Sequence, residues 1–200
     1  MFKQRYGLFI LSLIAVMLFL AACNGSEASE IEQEISLDIE PFEYTNQDEE
    51  AVSLEDLEGT YWVANFIFTN CDTVCPPMTA NMAGLQEEAD ENDLDVRFVS
   101  FSVDPEYDDP ETLKTFANQF GADYSNWDLL TGYSQEEIES YAASSFQLLV
   151  SKVDGHDQVS HGTSFYIVNP EGTAINTYSG TSSEEMDRLM NDLNILLQDN

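Results

Sequence analysis

Beyond Ile35 two kinds of apolar pattern take turns along the chain: short unbroken blocks, and residues spaced three and four apart. Tyr61 to Thr69 (YWVANFIFT) and Val96 to Val103 (VRFVSFSV) are nearly continuous apolar blocks, as expected of strands covered on both faces in a largely parallel sheet. Met78, Met82 and Leu85 then recur at helical spacing from Pro76 to about Asp90. Pro76 and Pro77 fit only a first turn, where the missing amide protons cost little. Asp109 to Phe120 reads as a helix opened by Pro110 and closed by Gly121, and Ser134 with Glu137 has the capping-box spacing that opens a helix through Tyr141 toward Phe146. Thr163 to Val168 and Ala174 to Tyr178 are expected strands joined by the turn Asn169-Pro170-Glu171-Gly172. The last helix, from about Ser183, carries Met186, Leu189, Met190, Leu193 and Leu197 on one side. Ahead of all these, alternation in Leu37, Ile39, Phe42 and Tyr44, the polar turn Asn46-Gln47-Asp48 and the run Ala51 to Leu54 predict a β-hairpin. The expected class is α/β: a thioredoxin-like fold with a central mixed sheet flanked by helices and an N-terminal β-hairpin.

The N-terminus has a different pattern. Lys3 and Arg5 precede the apolar run Leu8 to Leu20, then small Ala21 and Ala22, as in a secretion signal, and the run is short for a membrane-spanning helix. Leu20-Ala21-Ala22-Cys23 resembles a bacterial lipobox, which implies a diacylated Cys23 as the first residue of the mature chain; an uncleaved anchor helix is the alternative. Either places the domain on the extracytoplasmic face of a bacterial cell membrane. Two acyl chains on one residue hold stably, whereas one binds only marginally. The expected organisation is a signal peptide over 1–22, an acidic, aromatic-free tether over 23–34 and one domain over 35–200.

Composition narrows the partners. A hydrophobic content of 43% supplies a core and excludes disorder throughout, while a formal charge of -32 excludes nucleic acid as a partner. Loss of Lys3 and Arg5 with the signal, which holds no Asp or Glu, leaves 4 basic against 38 acidic residues. Such a surface suits a salty or alkaline exterior; its alternative use is attraction of cations or of a basic partner protein.

The candidate chemistry lies in Asn70-Cys71-Asp72-Thr73-Val74-Cys75-Pro76, where two cysteines fall at the start of a helix after a buried strand. Unpaired amides and the positive end of the helix dipole favour thiolate there. A structural disulfide this local would close a very small loop, and the chain-entropy gain is correspondingly low. Of the two histidines, His156 sits among Asp154, Gly155 and Asp157 in a polar loop and is expected to be solvent-exposed. His161 immediately precedes an expected strand which, in a thioredoxin-like sheet, starts beside the end of the cysteine-bearing strand. Two thiolates and an imidazole form a soft, mixed donor set that suits Cu(I) or Cu(II); zinc accepts the same atoms, but a closed zinc site needs a fourth ligand. Met78 and Met82 are expected to be core filling rather than thioether ligands, Trp127 to anchor a loop to the core, and Asp104 to lie near the site or to cap the turn at Pro105.

The segments Asn65-Phe66-Ile67-Phe68-Thr69-Asn70-Cys71 through Cys75-Pro76, Ser102-Val103-Asp104-Pro105-Glu106, Trp127-Asp128-Leu129-Leu130-Thr131-Gly132 and His161 to Gly172 together resemble the Sco/SenC family, over about Glu40 to Leu197. The resemblance implies a membrane-anchored copper-binding protein that assists assembly of the dinuclear copper centre of cytochrome c oxidase. It further implies that Cys71, Cys75 and His161 are the metal ligands and that the copper-bearing oxidase subunit is the partner. Many members carry Asp directly before the ligand His, where this chain has Ser160. Two other functions use the same sulfurs: thiol-disulfide exchange with one cysteine attacking and the other resolving, and reaction with peroxide. Enzymatic turnover is thus left open beside the metallochaperone reading.

Overall fold

The computed structural model describes residues 31–152 and 158–198. In chain order, strands Leu37–Asp38 (β1), Glu43–Thr45 (β2), Ala51–Ser53 (β3) and Tyr61–Ile67 (β4) lead to helix Cys75–Glu91 (α1). Strand Val96–Ser102 (β5), helix Pro110–Ala117 (α2), strand Trp127–Leu130 (β6) and helix Gln135–Phe146 (α3) follow. Short strands Ser151–Lys152 (β7) and Val159–Ser160 (β8), strands Ser164–Val168 (β9) and Thr173–Ser179 (β10), and helix Ser183–Gln198 (α4) complete the described order.

Six strands form one sheet in the order β1-β10-β9-β4-β5-β6. The two unbroken apolar blocks, β4 and β5, pair in parallel, and β6 continues parallel to β5. β9 runs antiparallel to β4, with Asn65 opposite Phe165, so the chain just before β9 lies beside the chain just after β4. That mixed sheet with flanking helices is the thioredoxin-like arrangement. α3 closes over aromatic residues of the sheet: Phe66 stacks on Phe101 at 5.2 Å and meets Phe146 edge-on at 5.1 Å. α1 and α4 pack side by side. Met78, Met82, Leu189 and Leu193 are fully or almost fully buried beneath them. Each such side chain removed from water contributes about 1.5–3 kcal/mol, so this seam fixes α1 firmly to the sheet.

The helix ends follow their sequence signals. Asp109 caps α2 by accepting from Thr112 N at 2.8 Å, with Pro110 in the first turn, and Ser134 accepts from Glu137 N at 3.2 Å to cap α3. The turn between β9 and β10 needs Gly172, whose φ of 79° is left-handed.

Two expectations need correction. The hairpin is smaller than the alternation implied: β2 pairs with β3, whereas Leu37 and Asp38 leave it to pair with Ala174 and Thr173 of β10. Trp127 sits not on an anchored loop but on β6, buried, with its Nε1 donating to Ser100 Oγ at 3.0 Å. The polar turn after β2 is also not a free reversal. Asn46 Nδ2 donates to Asp128 Oδ1 at 2.9 Å, and Leu129 N donates to Gln47 Oε1 at 2.8 Å, so the turn is docked along the outer edge of β6.

Cys23, the signal peptide, His156 and most of the expected tether lie outside the described residues. By Glu34 the chain is on the sheet: Glu34 N and Ile35 N both donate to Ile175 O. Among the described residues no helix is long and apolar enough to cross a membrane.

Candidate metal centre

β4 delivers the chain to the site. After Ile67 it turns through Thr69, passes Cys71 in an irregular loop, and enters α1 at Cys75, one residue earlier than the prolines alone implied. No side chain caps this helix, and Pro76 and Pro77 have no N–H to offer. The donors at this end are therefore the amides of Thr73 and Cys75, and both are directed at the Cys71 sulfur. Burial pushes the Cys71 thiol up, but these N–H groups together with the Cys75 thiol and the Thr73 hydroxyl outweigh it and hold the thiol below its ordinary value. Cys75, completely buried, behaves oppositely. Burial drives its thiol far above the ordinary value; Phe68 N–H opposes this only partly, and the neighbouring Cys71 thiol and the Asp108 carboxylate add to it. Both cysteines are free thiols. The pair is thus asymmetric, one sulfur prepared for thiolate and one kept protonated until something replaces its proton.

His161 arrives from the loop before β9, as the sheet register requires. Its Nε2 stands 3.7 Å from Cys75 Sγ. Its Nδ1 lies 2.8 Å from the Gly162 carbonyl, which can only accept, so Nδ1 carries the proton and Nε2 presents its lone pair to the sulfur. Phe68 meets the imidazole edge-on at 5.6 Å and fixes its plane. Burial holds the imidazole below its ordinary value, with the Gly162 carbonyl opposing. The carbonyl supplies the orienting contact that a carboxylate before the histidine would otherwise give; Ser160 is exposed and pairs with Ser151 across β7 and β8 instead.

Asp108, unremarked in the sequence, is the principal support of this loop. Completely buried, its carboxylate accepts from Thr69 N at 3.2 Å, Thr69 Oγ1 at 2.5 Å and Ser102 Oγ at 2.6 Å, while its own carbonyl accepts from Thr131 Oγ1 at 2.7 Å. It ties the approach to Cys71 to the ends of β5 and β6. Asp104 is buried and paired with Lys152 Nζ at 3.0 Å, and Lys152 also reaches Glu106 at 2.7 Å. Met78 and Met82 are wholly buried in the core, in keeping with packing.

The donor set is two sulfurs and an unprotonated imidazole nitrogen, soft enough for copper and poor for the hard cations magnesium or calcium. Among the described residues no three His, Cys, Asp or Glu side chains are yet drawn into a metal-holding cluster. The Cys75–His161 pair is formed, and Cys71 is buried beside Cys75.

Fold and site together define a thioredoxin-like domain in which a cysteine pair is joined by a histidine from the loop before the neighbouring antiparallel strand. The SCO1/SenC family profile matches residues 32–198, and the chain belongs to that family. A SCO1/SenC family lipoprotein from Bacillus anthracis is 50% identical, superposes with a TM-score of 0.77, and is matched over 80% of this chain and 96% of its own. BsSco, described as a member of the Sco family of cytochrome c oxidase assembly proteins and as containing a disulfide switch, is 48% identical with a TM-score of 0.75, over 82% of this chain and 95% of its own. ScoI of Arabidopsis thaliana, solved with copper bound, is 28% identical with a TM-score of 0.66, over 78% of this chain and 96% of its own.

Proposed function

We propose that this chain is a membrane-tethered, extracytoplasmic copper chaperone that takes copper on Cys71, Cys75 and His161 and passes it to the copper-bearing subunit of cytochrome c oxidase. The observation that carries the reading is the 3.7 Å approach of His161 Nε2 to Cys75 Sγ, with the other imidazole nitrogen committed to Gly162. In a copper site the nitrogen completes a soft set that accommodates Cu(I) and Cu(II); in disulfide exchange the same lone pair would serve as the base for the resolving thiol. Copper loading displaces the Cys75 proton, and the burial that keeps this thiol protonated in the free chain also keeps water from the loaded metal. Attachment is assigned to a diacylated Cys23, which the description of the Bacillus anthracis relative as a lipoprotein supports.

Titration of the reduced chain with copper should give one tight site that is lost in Cys71→Ser, Cys75→Ser and His161→Ala; retention without His161 removes it from the ligand set. Fatty-acid labelling should follow Cys23, and label persisting in Cys23→Ser rejects the anchor.

A second reading has its own support. The unequal thiols are suited to disulfide exchange, with Cys71 attacking and Cys75 resolving, so that the chain would reduce the cysteines of the oxidase copper site. Deletion in the source organism separates the two: lost oxidase activity restored by copper indicates delivery, and restoration by reductant indicates thiol chemistry.

A further inference from the structure

A cleft of about 350 Å³ opens beside the cysteine loop, with Thr69, Tyr107, Asp109, Glu111, Thr112 and Phe116 in its walls. Thr69 lies two residues before Cys71 and is gripped by the carboxylate of Asp108, the residue between Tyr107 and Asp109, so cleft and thiols share one support. Tyr107 is 57% exposed; among the described residues only Leu149 is another large apolar side chain so open. Phe116 is buried and sits edge-on to Phe120, giving the cleft an immobile aromatic wall. Asp109 and Glu111 are exposed where α2 begins.

Aromatic rings flanked by carboxylates form the usual surroundings of a bound ammonium or guanidinium group. The described residues do not supply one. Among the described residues Arg97 is paired with Asp128, Lys114 with Asp48, Lys152 with Asp104 and Glu106, and Arg188 with Glu34 and Glu185. A second copy of the chain brings the same engaged cations and a net charge of -32, and is repelled. A bare metal cation makes no use of Tyr107 and Phe116. The occupant that fits is a basic side chain on a different protein.

We propose that this cleft is the docking point for a Lys or Arg of the protein that receives copper from the site. The inference rests on the delivery reading and adds the chemistry of the acceptor: an exposed basic residue close to its own metal ligands, which brings the two sets of ligands together. Acidic surroundings steer the acceptor in, and the aromatic walls hold the cation while ligands exchange.

The test follows association of the reduced full-length chain with the copper-bearing domain of the oxidase subunit by stopped flow, at low and high salt. Glu111→Lys should slow association about tenfold at low salt and much less at high salt. Tyr107→Ser should speed dissociation, and Leu149→Ser, outside the cleft, should change neither. Copper titration of each variant alone should match the unvaried chain, and reversal of one basic residue on the acceptor should restore association with Glu111→Lys. Association that ignores both Glu111→Lys and Tyr107→Ser, or an unvaried chain that does not associate, overturns the docking point. A chain that binds no copper overturns the delivery reading with it, so the titration and the kinetics report separate failures.

Discussion

The carboxylate of Asp108 holds Thr69 by both its backbone N–H and its hydroxyl, and so fixes the strand end from which Cys71 hangs. With Ser102 also donating, Thr69 N–H, the Thr69 hydroxyl and the Ser102 hydroxyl all point hydrogens at that carboxylate. Asp108→Asn sets an NH₂ group among them and leaves at least one buried donor without an acceptor. The expected loss of stability is about 1–3 kcal/mol in denaturant unfolding, with weaker copper retention. Unchanged unfolding would show that the contact supports nothing.

Acid should release copper through His161. Burial lowers the imidazole below its ordinary value, so the folded chain keeps Nε2 unprotonated at neutral pH and for some way below it. Between the folded and unfolded values the unfolded chain binds more protons; this contribution to stability is present above the unfolded value and is lost as pH falls through the folded one. Copper affinity and metal-free stability should therefore both decline on acidification, and His161→Gln should flatten the stability profile below neutrality. A profile identical in the two chains would contradict the assignment.

The two thiols should react at different rates. With Cys71 held down by the Thr73 and Cys75 amides and Cys75 driven up by burial, iodoacetamide at neutral pH should label Cys71 first, as read by peptide mass mapping. Equal labelling, or labelling of Cys75 first, contradicts the asymmetry. Unfolding in denaturant should erase the preference.

Gly180 braces the histidine loop from behind. Its N–H donates to Thr163 O at 2.7 Å, and an added Cβ would stand 2.6 Å from that same oxygen and 2.5 Å from the Phe165 ring. Since one neighbour is backbone, Gly180→Ala must displace Thr163, two residues from His161. A stability loss of about 1–3 kcal/mol is expected, together with lower copper affinity. Wild-type values for both would mean the loop accommodates the methyl group freely.

Much of the architecture could be read from local signals. β4 and β5 announce themselves as unbroken apolar blocks, Pro110 and Ser134 mark helix starts, and Gly172 marks a turn, because each signal acts within a few residues. The proximity of His161 to Cys75 followed from sheet topology, since β9 must run antiparallel beside β4. β6 did not show because Asp128 interrupts its short apolar run. The fold accommodates that charge through Arg97 at 2.6 Å and Asn46 at 2.9 Å, both distant in sequence. Asp108 was silent for the same reason: Thr69, its main partner, is 39 residues away. The orienting contact of His161 comes from a backbone carbonyl, which no side-chain motif encodes.

The turn Asn46-Gln47, lying along β6, covers one margin of the sheet, and at the other margin β1 extends for only two residues. Rows of unpaired amides are what let one sheet extend into another. Among the described residues both margins are thus partly covered, which disfavours joining of copies strand to strand there.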